Sequence, residues 1–184
     1  LFLGSEKYPG ENEMEEFLVG HGGNSNAFTE VEHTCYYFEC DTEAFATATD
    51  MCANFFVKPL FVKDAAAREL KAIENEFRLN QNADGERLSQ VLACQCLPGS
   101  VYNTFGWGNR KTLVEETAKK NVDINVELRK FYDEFYTTDR INMALYGCTQ
   151  SLDELEKLVC ETFGAVPERR SESSIPKFLL NNTG

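Results

Sequence analysis

Arg68-Glu69-Leu70-Lys71-Ala72-Ile73-Glu74-Asn75-Glu76 sits within a longer helical pattern. Ala66, Leu70, Ile73 and Phe77 recur at helical spacing, so a helix is expected from about Asp64 to Asn80 with those four as its buried stripe. Glu69 and Glu76, seven residues apart, then lie about two turns apart on nearly the same face. Carboxylates so placed can serve a metal site. Acids flanking an apolar stripe are more often simply solvated, so the spacing alone leaves both uses open.

On the C-terminal side, Asn82, Asp84 and Gly85 bend or interrupt this helix, which resumes near Glu86 to Ala93. Pro98-Gly99-Ser100 and Phe105-Gly106-Trp107-Gly108-Asn109 give a long glycine-punctuated connection, of the kind that is usually functional or mobile. Asp123 can cap a helix whose Leu128, Phe131, Tyr132 and Phe135 share one face. Ile141 to Tyr146 reads as a strand, and Ser151-Leu152-Asp153-Glu154 as a capping box. Leu155, Leu158, Val159 and Phe163 continue that last helix to Gly164. From Pro167 the composition turns charged and Ser-rich, so residues 167–184 are expected to be a linker toward a following domain.

On the N-terminal side, Pro59 stops a helix in which Phe45, Ala48, Cys52 and Phe56 form the core stripe, with Asp41 or Thr42 as its cap. Asn26 to Cys40 is rich in aromatic and β-branched residues and reads as a strand pair. Glu13 to Val19 is a short helix ended by Gly20 and by Gly22-Gly23. Strands and long helices without strict strand-helix-strand alternation favour an α+β fold, an antiparallel sheet covered by helices on one face.

The formal charge of −12 argues against nucleic acid as a partner, because the basic runs are short. No apolar run approaches the roughly 20 residues needed to span a bilayer, so no membrane role is expected. Seven cysteines, odd in number and without Cys-x-x-Cys spacing, support neither a disulfide framework nor a zinc ribbon. Buried, reduced thiols and a cytoplasmic location are expected instead. Asn181-Asn182-Thr183 matches a glycosylation sequon, a triplet frequent by chance. The first residue is Leu1, inside an apolar segment, which suggests a fragment or processed piece.

Further segments carry a resemblance. Leu1 to Pro9, His21-Gly22-Gly23-Asn24-Ser25-Asn26-Ala27-Phe28-Thr29, Phe55-Phe56 with Pro59-Leu60, Arg68-Glu69 with Glu76, and Phe105 with Gly108-Asn109 all follow one order. In that order and spacing the chain resembles the insulinase-pitrilysin peptidases, over residues 1 to about 166. The match is to the first domain of the insulin-degrading enzyme and nardilysin-like branch, and it implies an α+β insulinase-type domain at 1–166.

The resemblance further implies a zinc metalloendopeptidase that hydrolyses peptides by metal-activated water. A His-x-x-Glu-His motif would supply two ligands and the general base. Glu76 matches the downstream glutamate ligand, and Glu69 the second acid, which orients a ligand or tunes its basicity. Asn26, Ala27 and Phe28 match the edge strand on which an extended peptide substrate lies. The His-x-x-Glu-His motif is not among the 184 residues and is expected just before Leu1. His21 and His33, the only histidines, lack the one-turn spacing needed to replace it. The chain alone is therefore expected to bind zinc weakly and to be inactive, its partners being peptide substrate and the remaining domains of a larger protein.

Two alternatives stand beside this reading: a non-catalytic homologue that holds peptides or serves as a structural subunit, and a free-standing acidic interaction module. There are also departures from the family pattern. Glu86 stands where relatives carry Trp in an Asp-x-Trp-Arg pattern, and Ser100-Val101 stands where they carry His-Pro. Trp107 is added in the glycine-rich loop, where packing on the core and lining a cleft are equally open to it.

Overall fold

The computed structural model describes residues 4–147 and 149–168. The sequon, nearly all of the expected linker, Cys148 and the first three residues lie outside that range. In chain order the elements are α1 (Glu13–Gly20), β1 (Asn24–Thr29), β2 (Thr34–Glu39), α2 (Phe45–Val57), α3 (Lys63–Asn80), α4 (Asp84–Gln95), α5 (Glu116–Lys119), α6 (Ile124–Phe135) and α7 (Leu152–Thr162). Single-turn 3-10 segments sit at Thr42–Ala44 and Phe163–Ala165, and a wide π turn at Lys111–Glu115 runs into α5. The class is α+β with an antiparallel two-stranded sheet.

Two compact units divide the chain. One comprises the residues up to Asn24, Glu39–Phe61 and those from Val126 onward; the other comprises Ser25–Phe38 and Val62–Asn125. In the first, α2 packs against α1 and α7. Three of its four stripe residues, Ala48, Cys52 and Phe56, are closed off from solvent as the spacing predicts, together with Phe55, Leu18 and Leu155, whereas Phe45 is half-buried.

The last carbonyls of a helix lack intrahelical partners, and α2 satisfies two of them in different ways. The Lys58 N–H donates to the Asn54 carbonyl at 3.0 Å. The buried hydroxyl of Tyr132, from α6, donates to the Phe56 carbonyl at 2.8 Å. The capping box of α7 forms as expected. The Glu154 N–H donates to Ser151 Oγ at 3.3 Å, and the Ser151 N–H donates to the Glu154 carboxylate at 2.8 Å.

Residues 4–9 are tied to the same unit by backbone and side chain. Ser5 and Pro59 form an antiparallel bridge, flanked by Glu6 N–H to the Lys58 carbonyl at 3.0 Å and Leu60 N–H to the Gly4 carbonyl at 3.2 Å. Asp50 accepts from Lys7 Nζ at 2.5 Å and from the Tyr8 hydroxyl. Burial alone pushes the Asp50 carboxyl up, but the bonds from Lys7 and Tyr8 outweigh it and hold the group below its ordinary range.

The second unit carries the hairpin from Ser25 to Phe38 together with α3, α4 and α5. Three contacts fix the hairpin register. Asn24 Nδ2 donates to the Glu39 carboxylate at 2.6 Å, the Thr29 and Thr34 hydroxyls meet at 3.2 Å, and the Glu30 N–H donates to the His33 carbonyl at 2.8 Å. Asn24 therefore faces Glu39, Thr29 faces Thr34, and a two-residue turn at Val31-Glu32 closes the hairpin. An interruption between α3 and α4 is present as expected, but it falls at residues 81–83, and Asp84 and Gly85, expected within the break, already belong to α4.

Several expectations are corrected. Ile141–Tyr146 has no strand structure; the only described sheet is the β1-β2 pair, and a largely apolar run makes a strand only in a context that pairs and packs it. Neither Asp41 nor Thr42 caps α2 through its side chain, because the 3-10 turn intervenes. The Asp123 cap holds, its carboxylate accepting the Asn125 N–H at 2.9 Å.

Of the shared face of α6, only Tyr132 is buried, while Leu128, Phe131 and Phe135 stand exposed. The α3 stripe of Ala66, Leu70, Ile73 and Phe77 is half-buried rather than closed. Among the described free cysteines only Cys52 is buried, whereas Cys94 and Cys160 are exposed. Periodicity finds the apolar side of an element but not whether anything covers it.

Candidate metal-ligand helix and peptide-binding strand

Glu69 and Glu76 both lie on α3. Seven residues of helix turn about 700°, which returns a side chain to within about 20° of where it began, two turns higher. Both carboxylates are exposed, and among the described residues neither has a hydrogen-bond or ion-pair partner. Glu76 takes part only through its backbone, its carbonyl accepting from Asn80 Nδ2 at 3.0 Å.

The other side of α3 is built differently. Ala67, Leu70, Lys71, Glu74 and Arg78 line an open groove that Arg110 and Val114 complete. Glu74 accepts from Arg78 Nε at 2.8 Å and, from 36 residues away, the backbone N–H of Arg110 at 2.8 Å. The Arg110 N–H and then the Arg78 guanidinium hold the Glu74 carboxyl below its ordinary range.

The segment before α5 is set by Asn109, whose side chain accepts the Thr112 N–H at 2.9 Å. Gly108 is needed there for space. A Cβ at that position would lie 2.7 Å from Leu113 Cδ1 and 3.2 Å from Ile73 Cγ2. Trp107 is half-buried and donates its indole N–H to the Glu86 carboxylate at 3.1 Å. Trp107 and Glu86, the two departures noted in the sequence, thus meet each other.

The two histidines are engaged locally. His21 closes α1, its ring 4.3 Å from that of Phe17 and its Nδ1 2.7 Å from the Phe17 carbonyl. His33 meets Phe28 edge-on at 5.9 Å. Among the described residues no three His, Cys, Asp or Glu side chains converge as a metal site.

On β1, Asn26, Ala27 and Phe28 are all exposed. Antiparallel pairs alternate between those that exchange hydrogen bonds and those that do not. Because Glu30 and His33 are bonded, so are Phe28 with Cys35 and Asn26 with Tyr37. Ser25, Ala27 and Thr29 consequently point their N–H and C=O groups away from β2. The Ala27 N–H is met by its neighbour, donating to Asn26 Oδ1 at 2.8 Å. Outward backbone groups on a strand, such as those of Ala27 and Thr29, are of the kind that pair with an added extended chain.

The residues 1–104 match the family model described as Insulinase (Peptidase family M16). The chain belongs to the insulinase family of peptidases. The chain is 36% identical over 167 residues to human nardilysin, which covers 91% of this chain and 14% of that protein. It is 36% identical over 178 residues to the Arabidopsis thaliana protein named insulin-degrading enzyme-like 1, peroxisomal, covering 97% of this chain and 18% of that one. A crystal structure of pitrilysin superimposes with a TM-score of 0.85 at 32% sequence identity, covering 95% of this chain and 19% of that chain. This insulinase-family chain thus spans between about a seventh and a fifth of the length of these relatives.

The structure places Glu69 and Glu76 on one helix and Asn26, Ala27 and Phe28 on one strand, all within one compact unit. Glu76 fits a metal as a single donor, since its carboxylate is free to leave water without breaking another contact. A zinc site takes three protein ligands, so the described residues do not form a complete one. Sequence reading missed Glu74 and Arg110. The Glu74–Arg78 pair is legible as an i,i+4 ion pair, but nothing in the sequence signals the bond to Arg110.

Proposed function

We propose that this chain forms part of a zinc metalloendopeptidase, with Glu76 as the carboxylate ligand. The observation that carries the reading is the exposed, unpartnered carboxylate of Glu76 at the position the family pattern assigns to that ligand. Glu69, on the same face of α3, is proposed to orient or tune the site. Zinc, when bound, lowers the pKa of its water toward neutrality so that the water can attack a peptide carbonyl.

The chain's own part is to present one ligand and to hold the substrate. An extended peptide adds to β1 through the outward N–H and C=O groups of Ala27 and Thr29, beside the exposed ring of Phe28. The 184 residues contain no His-x-x-Glu-His, so the two imidazoles and the general base are proposed to come from elsewhere in the protein, and the 184 residues alone to be inactive. Other domains as partners are supported by the exposed apolar rows of Leu88, Val91 and Leu92 on α4 and of Leu128, Phe131 and Phe135 on α6.

The test is Glu76→Gln in the complete protein, with zinc measured by atomic absorption and hydrolysis by a quenched-fluorescence peptide. The expected outcome is loss of both zinc and turnover. Zinc retained at the wild-type stoichiometry would overturn the assignment. A wild-type protein that binds peptide but neither zinc nor cleaves would leave the non-catalytic homologue.

A further inference from the structure

We propose that the glycine-rich loop Phe105–Arg110 is a clamp that sets the rotation of α3, with Glu74 as the positioning residue that receives it. This rests on the reading of Glu76 as a zinc ligand and deepens it. The loop touches α3 at three successive places. The Phe105 ring stands edge-on to Phe77 at 5.9 Å and 76°. Gly108 passes so close to Ile73 that a Cβ would lie 3.2 Å from its Cγ2. The Arg110 N–H donates to the Glu74 carboxylate at 2.8 Å.

Relative to Glu76, these contacts fall about 100°, 60° and 160° around the helix. They grip one flank of α3 and leave Glu76 in the open on the next. The grip is needed because packing leaves the rotation of this half of α3 loose. The fully buried apolar residue of α3 is Ala65 at its start, and from Ala66 onward the apolar stripe is half-exposed. A metal ligand, by contrast, must be held within about 0.5 Å of its working position.

The loop is itself rigidified where it grips. Asn109 caps the following turn through the Thr112 N–H at 2.9 Å, and the Leu113 N–H donates to the Asn109 carbonyl at 2.9 Å. Leu113 then fills the space that Gly108 leaves open. Glu74 joins this rigid corner to α3 through a charge-assisted bond, stronger than a neutral one. Arg78 contributes a second bond to the same carboxylate but lies on α3 itself, so it cannot hold the helix to the loop.

The experiment compares the complete protein with its Glu74→Ala, Glu74→Gln, Arg78→Ala and Glu76→Gln variants. Zinc affinity is read by chelator competition, thermal midpoint by calorimetry, and exchange of the Arg110 amide by hydrogen–deuterium exchange. Glu74→Ala is expected to speed Arg110 exchange and to weaken zinc about tenfold. Glu74→Gln, which keeps a neutral and weaker acceptor for the Arg110 N–H, should lose less than Glu74→Ala, and Arg78→Ala, which leaves that bond intact, should stay within about twofold of wild type.

Wild-type zinc affinity in Glu74→Ala, or an equal loss in Glu74→Gln, would overturn the clamp. Retained zinc in Glu76→Gln would instead sink the ligand assignment on which it rests. Should Glu74→Ala fail to fold, Gly108→Ala serves in its place. Its Cβ would lie 2.7 Å from Leu113 Cδ1 and 3.2 Å from Ile73 Cγ2, so the packing of the loop on α3 must give there, and about tenfold weaker zinc supports the clamp while wild-type affinity refutes it.

Discussion

Proline at Ala27 probes the proposed substrate strand without breaking the hairpin that carries it. In the register fixed by Asn24 with Glu39 and Thr29 with Thr34, the Ala27 N–H points away from β2, so Ala27→Pro removes no bond of the ladder. Proline is tolerated at such outward edge positions. It does remove the one donor that Ala27 could offer an added peptide strand. In the free chain that donor is occupied by Asn26 Oδ1 at 2.8 Å, which the substrate must displace.

The net worth of one such hydrogen bond is therefore about 1 kcal/mol, or about fivefold in kcat/KM. Contact between the proline ring and the incoming strand adds to that figure. The assay is steady-state hydrolysis of a quenched peptide by the complete protein, with hydrogen exchange at Phe28 confirming that the hairpin is intact. Phe28→Pro is the control, since its N–H faces Cys35 and its loss should open the hairpin itself. A kcat/KM for Ala27→Pro within twofold of wild type, with the hairpin formed, would refute substrate pairing at β1.

Tyr132→Phe leaves the buried Phe56 carbonyl without its 2.8 Å donor and should cost about 1.5 kcal/mol, read as a lowered midpoint in urea; an unchanged midpoint would contradict the accounting of the α2 terminus. Asp50 is held below its ordinary value by Lys7 and Tyr8, so its stabilising contribution is complete above about pH 4 and is lost as pH falls through the folded-state value. The stability gap between wild type and Asp50→Asn should therefore narrow on acidification below about pH 4; a gap that stays constant from neutral pH downward would exclude the linkage. Burial pushes the Cys52 thiol up to about 12, so at pH 8 a maleimide should label the exposed Cys94 and Cys160 long before Cys52, as read by peptide mass spectrometry. Labelling of Cys52 at the rate of Cys94 would refute that burial.

Elements whose signal is local were legible in the sequence. The Ser151–Glu154 box, the Asp123 cap, the stop at Pro59 and the break after Asn80 all act within a few residues of chain, so reading them needs no knowledge of what lies across the fold. The stripe of α2 was legible apart from Phe45, because its apolar spacing and its burial otherwise coincide. So was the shared face of Glu69 and Glu76, which follows from helix geometry alone.

What depends on a partner distant in sequence was decided only by tertiary structure. Ile141–Tyr146 has the composition of a strand, yet no described strand pairs with it. Leu128, Phe131 and Phe135 have the spacing of a core face, yet only their neighbour Tyr132 finds a carbonyl and a cover. Trp107 finds Glu86 across 21 residues and Arg110 finds Glu74 across 36. Sequence by itself determined which residues could be helix, strand, cap and ligand, because propensity, period and capping are properties of neighbours along the chain. Only the tertiary structure decided which apolar faces are covered, which backbone groups of β1 face outward, and which loop holds the helix bearing Glu76, because burial and hydrogen-bond pairing belong to residues that meet only when the chain is folded.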